Sequence, residues 1–102
     1  MATRGQIILN FNNAMEQARQ LNRCADEMRQ QSKALETAAS ELKAGWEGEA
    51  SGTYMRKCQT LQAKMTNSAS NLDMIATAIE RTARAYYEAE MNALKLAETR
   101  DS

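Results

Sequence analysis

The sequence predicts an all-α fold, an antiparallel helical hairpin with an apolar face on which a second hairpin would close a four-helix bundle. Three observations predict it. The chain has no Pro, so nothing forces a helix to break. The good helix formers Ala, Met, Gln, Glu, Lys and Arg are abundant and aromatic residues are few. Apolar or small residues recur at alternating steps of four and three along both halves, the period of a heptad seam. Between the halves lies Ala44-Gly45-Trp46-Glu47-Gly48-Glu49, which holds the only Trp and two of the four Gly. This is where the chain must reverse.

The N-terminus starts a helix at Thr3, with Gln6 three residues on, the pattern of a capping box. Helix 1 is expected over about residues 5–44. Its seam runs Ile7, Phe11, Ala14, Ala18, Leu21, Ala25, Met28, Ser32, Leu35, Ala39 and Leu42, with Trp46 on the next step. The turn is placed at 45–48. Gly45 suits the left-handed position after a helix. Lys43 before it and Glu49 after it complement the two helix ends.

Helix 2 is expected over about residues 49–98, with a short disordered tail from Thr99. Its seam runs Tyr54, Cys58, Leu61, Met65, Ser68, Leu72, Ile75, Ile79, Thr82, Tyr86, Ala89, Ala93 and Leu96. Phe11, Leu21, Met28, Leu35, Leu42, Leu61, Met65, Leu72, Ile75 and Ile79 are the expected core or dimer seam. Beside it lie Met55, Ala69, Ala76, Ala83 and Ala97. These small residues are expected to widen the apolar face so that a second hairpin closes the bundle.

Composition narrows the function. The 102 residues make a single domain. A mean hydropathy of −0.64 beside 43% apolar residues fits long amphipathic helices. Thirteen basic and 13 acidic residues are spread along the chain, which argues against nucleic-acid binding and a polybasic membrane anchor. A membrane-active protein is disfavoured by the same neutral, polar surface. No run is long enough to span a bilayer. Ile7-Ile8-Leu9 is too short for a signal-peptide core, so export by the Sec route is not expected.

There is no His, which removes the commonest general base and a common metal ligand. Cys24 and Cys58 lack metal-ligand spacing. In a hairpin they stand about 20 Å apart along the axis, too far for a disulfide. No phosphate loop or nucleophile elbow is present. The seven Met residues are explained mainly by core filling. The reading is a non-enzymatic protein without cofactor or metal.

A helical hairpin of this length with Trp46-Glu47-Gly48 at its turn resembles the WXG-motif family of small proteins, the early secreted antigenic target-like proteins exported by type VII (ESX) secretion. Tyr86 and Glu90, in Tyr86-Tyr87-Glu88-Ala89-Glu90, match the family's Tyr-x-x-x-Asp/Glu pattern near the end of helix 2. The resemblance spans nearly the whole chain. It implies a secreted, virulence-associated protein of a Gram-positive or mycobacterial cell, cytoplasmic before export. It implies a dimer joined head-to-tail into a four-helix bundle, a homodimer or a pair with a related small helical partner. It also implies recognition by a membrane-bound FtsK-type ATPase and, in some members, a larger co-secreted toxin. Trp46 with Gly48, and Tyr86 with Glu90, are then a composite export signal. Within one chain Trp46 and Tyr86 lie about 55 Å apart at helical rise, so a head-to-tail dimer is needed to bring them together. The alternative is a cytosolic adaptor or chaperone that targets a larger toxin to the machinery.

Overall fold

The structure, a computed structural model, describes residues 2–46 and 48–101. Two helices make an all-α hairpin, α1 over Arg4–Gly45 and α2 over Glu49–Asp101. The capping box forms at the start of α1. Gln6 N–H donates to Thr3 Oγ1 at 3.2 Å, and Thr3 N–H donates to Gln6 Oε1 at 3.2 Å. Two of the helix's orphan donors are satisfied reciprocally.

The ends of the helices differ from expectation. Gly45 is the last residue of α1 and lacks the left-handed backbone assigned to it. Gly48 has it instead, with φ of 107°. α1 tightens at its end, where Trp46 N–H donates to Lys43 O at 3.3 Å, three residues back. Glu47, the middle of the expected turn, lies outside the described residues. The tail expected from Thr99 is helical through Asp101. Thr99 donates its hydroxyl to Lys95 O at 2.9 Å, a bond made within the helix.

The chain forms two compact units, each holding a segment of both helices. One is Asn22–Asp73, and the other joins Met1–Leu21 to Met74–Ser102. In Asn22–Asp73 the segments run antiparallel, since Arg29 meets Asp73 while Ser32 meets Gln62. Ala25, Ser32 and Ala39 of α1 are buried, as are Ser51, Cys58 and Ala69 of α2. Gln62 Nε2–H donates to Ser32 O at 3.2 Å. Arg29 bridges Asp26 on its own helix, at 3.2 Å, and Asp73 on the other. The hydrogen bond to Asp73 is the main cause of the raised pKa of Arg29. A cation whose pKa rises on folding contributes below its unfolded pKa, so this pair does not depend on guanidinium titration near neutral pH.

In the other unit the segments are also antiparallel, with Arg4 against Glu98 and Phe11 against Tyr87. Ile7, Ala18 and Ala76 are buried, with Phe11, Ala14, Leu21, Ile79, Ala83, Tyr87, Leu94 and Ala97 half-buried. Ala18, Ala25, Ala69 and Ala76 are 0% exposed, and no large described side chain is fully buried. The most completely buried positions thus carry only methyl groups, which permit close backbone approach.

Only part of the expected core or dimer seam is turned inward within the single chain. On α1 the series holds from Ile7 to Ala39, but Leu42 and Trp46 are exposed. On α2 the row taken as flanking, Met55, Ala69, Ala76, Ala83 and Ala97, is the one turned toward α1. Leu61 and Ile75, expected in the seam, are each 50% exposed. Tyr54, Ser68, Thr82, Tyr86, Ala89, Ala93 and Leu96 are exposed as well. Close contact between α-helices favours the small residues, so the bulky row is displaced outward. Cys58, Met65, Leu72 and Ile79, on the edge shared by both rows, remain buried or half-buried. Beyond Ile79 the inner series takes two steps of four in succession, to Ala83 and Tyr87. A straight helix drifts about 20° per heptad from a strict 3.5 period, and the extra step absorbs that drift.

Two comparisons test these assignments. Ala76→Leu is expected to destabilise by about 1–3 kcal/mol through overpacking. Met74→Ala, at an exposed side chain, should stay within about 0.5 kcal/mol. Equal effects in urea unfolding would contradict the assignment of faces. At the connection, no neighbouring atom would meet a Cβ at Gly45 or Gly48, but only Gly48 has positive φ. Gly48→Ala should therefore cost more than about 1 kcal/mol, whereas Gly45→Ala should be neutral or stabilising by up to about 1 kcal/mol.

Candidate functional site

The candidate site has two parts, one in each unit. In Asn22–Asp73, Trp46 follows the last turn of α1. Its ring meets Tyr54 edge-on, with centroids 5.8 Å apart and planes at 71°. This is the favoured geometry for two aromatic quadrupoles. Tyr54, expected in the seam, instead props the indole from the first turns of α2. Trp46 stays 47% exposed, so part of its ring surface remains open beside Gly48.

In the other unit, an apolar groove of about 490 Å³ runs between α1 and α2. Ile7, Phe11 and Ala14 line one wall, and Ile75, Ile79 and Thr82 the other, with Tyr86 and Glu90 at one end. The adjacent tyrosines have different environments. Tyr87 is half-buried, its ring 4.9 Å from that of Phe11 and tilted by 42°. The Arg84 guanidinium lies over the Phe11 ring, 5.9 Å from its centroid, a cation–π contact. Tyr86 is one residue, hence about 100° of helix, away and is 65% exposed. It is the open ring of the pair, and the expectation that it is partly core does not hold. Glu90 is half-buried. Tyr86 and Glu90 share a helix face at i and i+4 and both line the groove.

The stack of Tyr87 on Phe11 and the burial of Leu94 escaped the sequence reading. Their signal was the series Ala83, Tyr87, Glu90, Leu94 and Ala97, which competes with the Tyr86, Ala89, Ala93 and Leu96 series one step away. Both cysteines are free, Cys58 buried and Cys24 exposed. Among the described residues no cluster has the make-up of a metal site. No described helix is long and apolar enough to cross a membrane. The arrangement offers aromatic and apolar contact surface and one half-buried carboxylate.

Comparison with curated proteins and with solved structures gives no match. A family model does match, over residues 6–91, and it covers Trp46-Glu47-Gly48, Tyr86 and Glu90. Its description is "Proteins of 100 residues with WXG". With the hairpin fold and the Trp-x-Gly connection in place, the chain belongs to the WXG100 family, small helical non-enzymatic proteins linked to ESX secretion.

Proposed function

We propose that this protein is exported by type VII secretion as a head-to-tail homodimer and acts outside the cell as an effector or carrier. Trp46 with Gly48, and Tyr86 with Glu90, form its composite export signal. The observation that carries this reading is the outward presentation of Tyr86 at the end of the groove, on one face with Glu90, in a member of the WXG100 family. An aromatic side chain that contributes little to the core is available to a recognising protein. Trp46 is similarly open, propped by Tyr54 rather than enclosed.

A head-to-tail pair places Trp46 of one copy near Tyr86 and Glu90 of the other. One reader then contacts both parts only when the pair is assembled. The reader in this proposal is the FtsK-type ATPase of the secretion system, met in the cytoplasm before export, and a larger toxin is a candidate co-secreted client. The apolar groove and the exposed row of α2 support the pairing, since both leave apolar surface that a second hairpin would cover.

Export and folding should separate in three variants. Glu90→Gln, which keeps side-chain shape, is expected to fold normally and to be depleted from the culture medium. Tyr86→Ala, at an exposed ring, should alter stability by about 0.5 kcal/mol or less and also stay in the cell. Trp46→Ala should lose the Tyr54 contact, still form dimers, and fail to appear in the medium. The measurement is protein in lysate and medium, with circular dichroism of each purified variant. Folded variants secreted at wild-type level would remove both motifs from the signal.

A further inference from the structure

We infer that Phe11 is a positioning residue of the export signal. Its ring, on α1, holds Tyr87, sets the rotation of the last turns of α2 and so turns Tyr86 outward. The inference rests on the reading of Tyr86 and Glu90 proposed above and adds to it a residue from the other helix.

The last turns of α2 carry two series with the same spacing. One is Ala83, Tyr87, Glu90, Leu94 and Ala97, and the other is Thr82, Tyr86, Ala89, Ala93 and Leu96. Both step by four, three, four and three. They lie one residue, about 100° of helix, apart. The first is turned inward, with every member half-buried, and the second is exposed throughout. Composition does not favour that outcome. Each series offers a Tyr and a Leu, but the inward one also partly buries a carboxylate, which costs free energy. The outward one carries no charge. The choice between them comes from α1.

Phe11 makes that choice. Its ring centroid lies 4.9 Å from that of Tyr87, and the Arg84 guanidinium lies over the same ring, 5.9 Å from its centroid. Arg84 and Tyr87 are three residues apart, hence neighbours on one helix surface, so a single ring meets both. Aromatic pairs and cation–π contacts each add to plain burial. In the other rotation Tyr86 takes the place over Phe11. Its neighbour three residues back is Ala83, which brings no cation. The same rotation puts Ala85 where Tyr86 stands and Ala89 where Glu90 stands. Tyr86 and Glu90 then leave the end of the groove that they line together. Nearer the end of α2, Arg4 meets Glu98 at 3.4 Å, but both side chains are more than half exposed. An exposed ion pair holds a rotation only weakly. The presentation of the Tyr86 ring and the Glu90 carboxylate therefore depends on one ring of α1.

The test uses the full chain and three substitutions. Phe11→Ala removes the ring, Phe11→Leu removes it but keeps apolar bulk, and Phe11→Tyr keeps it. Nitration by tetranitromethane is located residue by residue by mass spectrometry, with Tyr54, in the other unit, as internal reference. Protein in lysate and medium is measured alongside, with Tyr86→Ala for comparison. In the wild type Tyr86 should be nitrated well ahead of Tyr87. Phe11→Leu should bring the two tyrosines toward equal reaction and deplete the protein from the medium, and Phe11→Tyr should restore both. A role in packing alone would leave Phe11→Leu close to wild type. A wild-type nitration ratio in Phe11→Leu therefore overturns the inference, even where Phe11→Ala fails to fold. Equal nitration in Phe11→Leu with normal export, while Tyr86→Ala stays in the cell, also overturns it. Normal export of Tyr86→Ala overturns the export reading and with it the signal that Phe11 would position. A changed nitration ratio in that case still supports Phe11 as the residue that turns Tyr86 outward.

Discussion

The structure depends on the contact of two helices through methyl groups. Ala18, Ala25, Ala69 and Ala76 are fully buried, and no large described side chain is. Small residues let backbones approach, and apart from the buried Ile7 the bulky side chains are half-buried or exposed. The gain per residue is modest, since burying one methyl-sized group contributes about 0.8 kcal/mol against about 1.5–3 kcal/mol for a whole Leu or Ile side chain. A hairpin built this way retains apolar surface on its outside. The exposed Leu61, Ile75 and Leu96 follow from the same packing that buries the Ala residues.

Helix 1 was legible because only one series along it is apolar. Ile7, Ala18, Ala25, Ser32 and Ala39 are all buried where the alternating steps put them. Helix 2 carries two adjacent series, one of Leu, Ile and Tyr, the other mostly of Ala. Hydropathy alone favours the larger side chains, so the Ala row reads as flanking although it is turned inward beside Cys58, Met65, Leu72 and Ile79. Heptad spacing does not resolve such a choice, because both rows have it. The strict period also hid the double step of four at Ile79, Ala83 and Tyr87. At the connection, two glycines three residues apart suit the same left-handed role, and the backbone gives it to Gly48.

The site was legible to a different degree. Trp46, Gly48, Tyr86 and Glu90 stand out as residue patterns, whereas their surroundings are products of packing. Tyr86 is open because its neighbour Tyr87 occupies the space over Phe11, and adjacent residues on a helix cannot both face inward. Trp46 is open because Tyr54 supports only one side of its ring. The fold thus presents aromatic surface at both parts of the candidate signal while contributing little of it to the core.

The central proposal is that this hairpin pairs with a second copy of itself. The most direct measurement is urea unfolding of the wild-type protein across a wide concentration range, with circular dichroism as the signal. Self-association favours the folded state by mass action. The account predicts a midpoint that rises steadily with protein concentration, by up to about 1.4 kcal/mol of apparent stability per tenfold increase. A midpoint that stays constant from micromolar to millimolar chain would contradict it.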